Sequence, residues 1–220
     1  MRSLRFALVA AALVAGFANA SPTNPTNGVE YTTLAAPQPT QAVGKKVEVV
    51  EFFAYHCPAC NALEPTLNAW IKKQGDNVVV RRIHLPFQGP ADPEAHLFLT
   101  LEAMGKLEEY HSRVFNAVHV QRQRLMKDDA IIEWAAKNGL DRAKFMETWN
   151  SFGVTSKLRR LQTLSSNYKV SGTPTIIIDG KYVVSPSQVG EANKIQGIEP
   201  TMQATMQVMD ALVKKAAATK

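Results

Sequence analysis

Residues 51–60 read Glu51-Phe52-Phe53-Ala54-Tyr55-His56-Cys57-Pro58-Ala59-Cys60, and the fold turns on them. They hold the chain's two cysteines, three positions apart, directly after an apolar run. That run, Lys46 to Tyr55, predicts a strand. Val47, Val49 and Phe53 fall on one face, and Val50, Phe52 and Ala54 on the other. A strand apolar on both faces belongs in the middle of a sheet. Beyond Cys57 the spacing turns helical: Leu63, Leu67, Trp70 and Ile71 share a stripe, Pro65 predicts a kink and Gly75 a stop. A thiol pair at a strand-to-helix turn is a redox motif.

Working outward, Glu30 to Leu34 predicts a short strand, and Val78 to Leu85 another that completes a parallel strand–helix–strand unit. From Pro93 to Tyr168 the periodicity is helical throughout. The stripes are Leu97, Leu101 and Met104; Leu107, Tyr110, Val114 and Val118; and Ile131, Trp134 and Ala135, with Asp128 or Asp129 as cap. Asp141 caps a fourth helix through Phe145, Trp149 and Phe152, and Val154, Leu158, Leu161 and Tyr168 line a fifth. Thr175 to Ile178 and Tyr182 to Val184 flank Asp179-Gly180, which predicts a two-residue hairpin turn. A polar, looser stretch precedes a last helix from about Pro200 to Lys215, whose Met202, Met206, Met209 and Val213 read as core. The pattern is α/β: a thioredoxin-like fold, a central mixed sheet flanked by helices, with an inserted all-helical domain. Residues 28–90 and 170–220 form the thioredoxin-like part, and residues 91–169 form the insertion.

The first twenty residues read as a secretory signal peptide: Arg2 and Arg5, an apolar stretch from Phe6 to Phe17, and Ala18-Asn19-Ala20 as the cleavage site. Residues 21–27 form a mobile polar leader. Removing the signal leaves 23 basic and 19 acidic residues, a net charge of +4 with no run of five like charges. That balance, together with export, argues against nucleic acid as a partner. Export also places the cysteines where disulfides persist. A chain this long gains little from one short staple, so reactivity explains the pair better than stability does.

Position separates the two thiols. Cys57 sits at the helix N-terminus, where free N–H groups and the helix dipole favour an anion, so it is the exposed nucleophile and leaving group. Cys60 lies one turn inside and attacks or releases the mixed disulfide. Pro58 suits the first helical position. The rival readings are an inert loop disulfide and half of a metal site. A zinc site needs two more ligands, and His56, His84, His96, His111 and His119 show no paired spacing. Further along, Gly172-Thr173-Pro174-Thr175 stands before a strand. A cis Thr173-Pro174 peptide there leaves the Thr173 backbone free to pair with an extended substrate beside Cys57. The alternative is an ordinary trans proline at a strand start.

In combination Glu51-Phe52-Phe53, Cys57-Pro58-x-Cys60, Trp149-Asn150-Ser151-Phe152, and Gly172-x-Pro174 through Asp179-Gly180-Lys181-Tyr182 resemble the DsbA family of periplasmic thiol:disulfide oxidoreductases, in order and separation, over essentially the whole mature chain. The resemblance implies that Cys57 and Cys60 form a redox-active catalytic disulfide and that Thr173 and Pro174 meet substrate. Glu51, His56, Pro58 and Ala59 are auxiliary. Glu51 matches a buried acid beneath the pair, able to exchange a proton with Cys60; its alternative role is a salt bridge at the sheet edge. The resemblance further implies a periplasmic monomer without metal or organic cofactor. It would act on reduced or unfolded exported proteins and be reoxidised by a DsbB-like quinone-linked membrane oxidase. The nearest rivals are a reductase or isomerase of the same superfamily and a non-catalytic peptide-binding chaperone.

Two positions depart from the family's best-known members: Ala59, where they carry histidine, and Thr173, where they carry valine. Alanine offers no donor to a thiolate. Replacing Ala59 with His should therefore lower the Cys57 pKa and make the disulfide more oxidising. Thiolate absorbance titrations of both forms test this, and equal values would refute it.

Overall fold

The computed structural model describes residues 21–220; the signal read at residues 1–20 lies outside the described residues. The order is β1 (Thr32–Thr33), β2 (Val47–Phe53), α1 (Pro58–Gln74), β3 (Val78–His84), α2 (Pro93–Ala103), α3 (Leu107–His119), α4 (Asp128–Lys137), α5 (Arg142–Trp149), α6 (Phe152–Asn167), β4 (Thr175–Ile178), β5 (Tyr182–Val184), α7 (Pro186–Ala192) and α8 (Ile198–Ala217). The strands form one sheet in the order β1-β5-β4-β2-β3. β2 runs parallel to β3 and antiparallel to β4.

Every residue of β2 is buried, as its two apolar faces require. On one face Val47 and Val49 pack with Leu63, Leu67 and Trp70 of α1 and with Met202, Met206, Met209 and Val213 of α8. The methionine stripe is core. Trp70 Nε1 also donates to Asp210 at 2.7 Å, tying α1 to α8. On the other face Val50 and Phe52 join the apolar sides of α2 to α6.

Phe53 departs from strict alternation. Its ring lies 5.0–5.9 Å from those of Tyr55, His84, Phe98, His111 and Phe115, so it packs with α2 and α3 rather than with the Val47 face. It is the last residue of its strand, where the chain turns away from the sheet.

Side chains cap most helix N-termini. Asp92 accepts from Ala95 N–H at 2.9 Å, Asp141 from Lys144 N–H at 2.9 Å and Ser151 from Val154 N–H at 3.3 Å. Each satisfies an orphan donor. Two expectations shift here. Asp128 and Asp129 lie in the first turn of α4, where their negative charge complements the positive end of the helix dipole, and Lys127 holds the cap position. Phe152 opens α6 and is exposed instead of lining the helix before it. α1 runs unbroken through Pro65 and ends at Gly75, at φ +53°. The polar stretch after β5 holds α7, started by Pro186 and capped by Ser185.

The hairpin turn contains Asp179 and Gly180, both at positive φ, with Lys181 N–H donating to Ile178 at 3.0 Å. The register pairs Ile178 with Tyr182, so Lys181 extends the loop to three residues. Gly180 has no room for a Cβ, which would run into the Gln38 carbonyl. Gly180→Ala should cost about 1–3 kcal/mol, from the left-handed backbone and the displaced Gln38 strap together. Urea unfolding reads this, and an unchanged midpoint would refute it.

Candidate active site

β2 delivers Cys57 to the mouth of α1, and the sulfur itself becomes the helix cap. Cys57 has extended backbone (φ −78°, ψ 114°), and its Sγ accepts from Cys60 N–H at 3.2 Å. Pro58 takes the first helical position, where a missing N–H costs nothing. Both cysteines are thiols here. The pairing of Phe52 with Thr175 brings the start of β4 alongside the same strand end. Cys57 Sγ accordingly lies 3.4 Å from the Thr173 carbonyl, to which the thiol donates. The Thr173–Pro174 peptide is cis.

The two thiols titrate in opposite directions. Cys57 is lowered to about 6, chiefly by the hydrogen bond from the Cys60 thiol, against its own burial. The Thr173 side chain and the backbone N–H groups of Cys60 and Ala59 add to the lowering. Burial pushes Cys60 far above the usual thiol range, and its hydrogen bond to Cys57 and that neighbour's charge push the same way. One sulfur is built to be an anion and the other to hold its proton.

Glu51 is fully buried on β2. The parallel register sets it opposite Arg82, whose Nε donates to it at 3.0 Å. This ion pair joins the central strand to β3, itself the sheet-edge strand, so burial and pairing coexist. Burial first, and then the charge of Glu64, push the Glu51 carboxyl up to about 8 despite Arg82. Its Oε1 is buried without a hydrogen-bond partner.

Arg82 also reaches Glu64 of α1 at 3.6 Å, and Glu64 lies 3.2 Å from His111 Nε2. There burial, which raises the carboxyl, is outweighed by His111 and Arg82, and Glu64 is held below its ordinary range. His111 Nδ1 in turn contacts the Tyr55 hydroxyl at 3.1 Å.

A second polar cluster stands on the other side of Cys57. Glu94, the second residue of α2, contacts His56 Nδ1 at 2.5 Å and accepts from its backbone N–H at 3.3 Å. Phe87 packs edge-on against the His56 ring at 5.1 Å and is half exposed.

The structure therefore brings together Glu51, His56, Cys57, Pro58, Ala59, Cys60, Thr173 and Pro174. Sequence reading missed Arg82, Glu64, His111 and Glu94. Glu64 was findable: it stands one turn after Cys60 within a buried stripe, and an acid there needs a partner. Among the described residues, no group of three or more His, Cys, Asp or Glu side chains is placed to hold a metal ion. No helix among them is long and apolar enough to cross a membrane.

A family model described as the DSBA-like thioredoxin domain matches residues 48–195. The Burkholderia cepacia thiol:disulfide interchange protein DsbA is 38% identical over 208 residues, covering 94% of this chain and 93% of that protein. The crystal structure of Pseudomonas aeruginosa DsbA superposes with a TM-score of 0.76 at 36% identity, covering 89% of this chain and 97% of that one. The Neisseria meningitidis oxidoreductase NmDsbA1 superposes at 0.70 and 30% identity, covering 87% and 93%. Sequence and fold thus agree with these relatives over nearly their whole lengths, and this chain belongs to their family: the DSBA-like thioredoxin domain proteins.

Proposed function

We propose that this thiol:disulfide oxidoreductase oxidises the thiols of exported proteins, with Cys57 as the atom that changes partners. The observation that carries the reading is the asymmetry of the two sulfurs. Cys57 Sγ accepts the Cys60 N–H at 3.2 Å at the mouth of α1, while Cys60 is wholly buried behind it.

In the oxidised protein a substrate thiolate attacks Cys57 Sγ. The Cys57–Cys60 bond breaks, and its electron pair leaves on Cys60, which takes up a proton because burial disfavours its anion. Glu51, protonated at neutral pH, supplies that proton and regains it from solvent. A second substrate thiolate then attacks the substrate sulfur of the mixed disulfide, and Cys57 departs as a stabilised thiolate. Two electrons pass from substrate to protein. Stabilising the thiolate of the reduced form favours that form, which makes the disulfide oxidising.

The Thr173 backbone, placed beside Cys57, pairs with an extended substrate segment, and the cis peptide to Pro174 presents it. The protein works as a periplasmic monomer after loss of a signal peptide at residues 1–20. Residues 28–90 and 170–220 act as the thioredoxin-like domain and residues 91–169 as a helical insertion. A DsbB-like quinone-linked membrane oxidase restores the disulfide.

The test is the pH profile of Cys57 alkylation in the reduced protein. The reactive form is the thiolate, present above its pKa. The rate should therefore be flat at neutral pH, fall to half near pH 6, and drop about tenfold per unit below that. A midpoint in the ordinary thiol range would overturn the assignment. In parallel, the equilibrium against glutathione separates the oxidase from a reductase, and a strongly reducing disulfide favours the latter.

A further inference from the structure

Glu94 is a buried carboxylate with only a histidine cluster for company. Its side chain is 1% exposed, and its two histidine neighbours are His56 Nδ1 at 2.5 Å and His84 Nε2 at 3.7 Å. His84 Nε2 already accepts from Tyr55 N–H at 3.1 Å, so it does not donate to Glu94. The nearby Asp92 is already satisfied by the N–H groups of Ala95 and Gln88, each at 2.9 Å, and adds only negative charge. A carboxylate taken out of water needs a compensating charge, and His56 is the group in hydrogen-bond reach that can supply one.

We propose that His56 is a positioning residue for the reaction: Glu94 holds it as an imidazolium, and its positive charge, one residue before Cys57, stabilises the departing Cys57 thiolate. The inference rests on the proposed role of Cys57 as the exchanging sulfur. It puts a cation on the upstream side of the nucleophile in a chain whose two residues between the cysteines, Pro58 and Ala59, carry no charge. The His56 side chain is 35% exposed, so the charge stands at the protein surface where a substrate thiolate arrives, with the half-exposed Phe87 against its ring. The hydrogen bond to Glu94 raises the affinity of His56 for its proton, opposed by burial, with the charges of Glu94, Asp92 and Cys57 adding smaller effects in the same direction. The groups facing it are Glu94 and Asp92 from α2, His84 from β3 and Cys57 at the start of α1. His119 of α3 bonds the neighbouring Tyr55 carbonyl at 2.7 Å.

Coupling between two titrating groups is reciprocal, and this gives a test in the unmodified protein. The His56 ring is titrated by NMR in the dithiol and the disulfide protein. Reduction creates a thiolate beside it, so its proton affinity should rise about threefold to tenfold in the dithiol form. Identical titrations would overturn the proposal.

The second arm is His56→Gln, in which the amide keeps a hydrogen bond to Glu94 and lacks the charge. The acid dissociation constant of Cys57 should fall by the same factor, and His56→Arg should restore it. A Gln variant with unchanged Cys57 acidity, or an Arg variant no better than Gln, would reduce His56 to a structural contact. Loss of exchange in Cys57→Ala tests the underlying reading separately. If that variant still exchanges, the role of Cys57 fails; if only the His56 titrations are flat, the charge alone fails.

Discussion

Cys57→Ala abolishes exchange: oxidation of a reduced, unfolded protein falls to the rate of buffer alone, while the fold survives. The sulfur lost is the cap of α1, so stability should drop by only about 1 kcal/mol. Cys60→Ala gives a different defect. Its Cys57 thiolate still attacks a disulfide-bonded protein, but the mixed disulfide has no internal thiol to resolve it, and a covalent adduct builds up. Cys57 should also become less acidic in that variant, because the Cys60 thiol makes the largest contribution to stabilising its anion. Non-reducing electrophoresis separates the two outcomes. Adducts from Cys57→Ala, or equal turnover by both variants, would reverse the assignment of the sulfurs. Intact peptide binding in Cys57→Ala with no wild-type exchange activity would point to a chaperone.

Glu51→Gln should make the protein more stable and a poorer catalyst. A carboxyl raised to about 8 in the folded state, from an ordinary value of 4.5, favours folding fully only below the lower figure. That advantage is lost as pH rises through the folded value, so ionisable Glu51 costs about 3 kcal/mol near pH 7. Glutamine removes this cost, and Arg82 keeps Glu64 at 3.6 Å as a partner. Allowing for the lost ion pair, unfolding free energy at pH 7.5 should rise by about 1–3 kcal/mol. The stability of the wild-type protein relative to the variant should fall between pH 5 and 8. Exchange should slow by about tenfold to a hundredfold, since the proton for Cys60 must then come from water. Parallel stability profiles would refute the buried-acid reading, and unchanged rates the relay.

These predictions draw on features of unequal visibility in the sequence. The sheet was legible because β2 is apolar on both faces and because Asp179-Gly180 has the turn chemistry that a hairpin demands. The cysteine pair was legible because spacing and the onset of helical periodicity coincide at Cys57. The residues around it divide differently. Glu51 could be singled out, but Arg82 could not, because their contact depends on parallel register. Shifting β3 by one residue would place Arg81 there instead. Glu94 belongs to a helix whose first nine residues are all buried, so no polar face marked where it points. Phe152 looked like core from its spacing, yet the Ser151 cap starts a new helix there and turns the ring outward. α7 escaped because seven residues carry too little periodicity to show a face.

The cap on α1 has a consequence for how the disulfide is given up. While reduced, the helix end satisfies itself, with the Cys60 amide spent on the Cys57 sulfur. Once that sulfur joins a disulfide it is a feeble acceptor, and a buried amide is left short of its partner. Giving the disulfide away returns the thiolate and restores that bond. The same helix end therefore settles when the bond has been given.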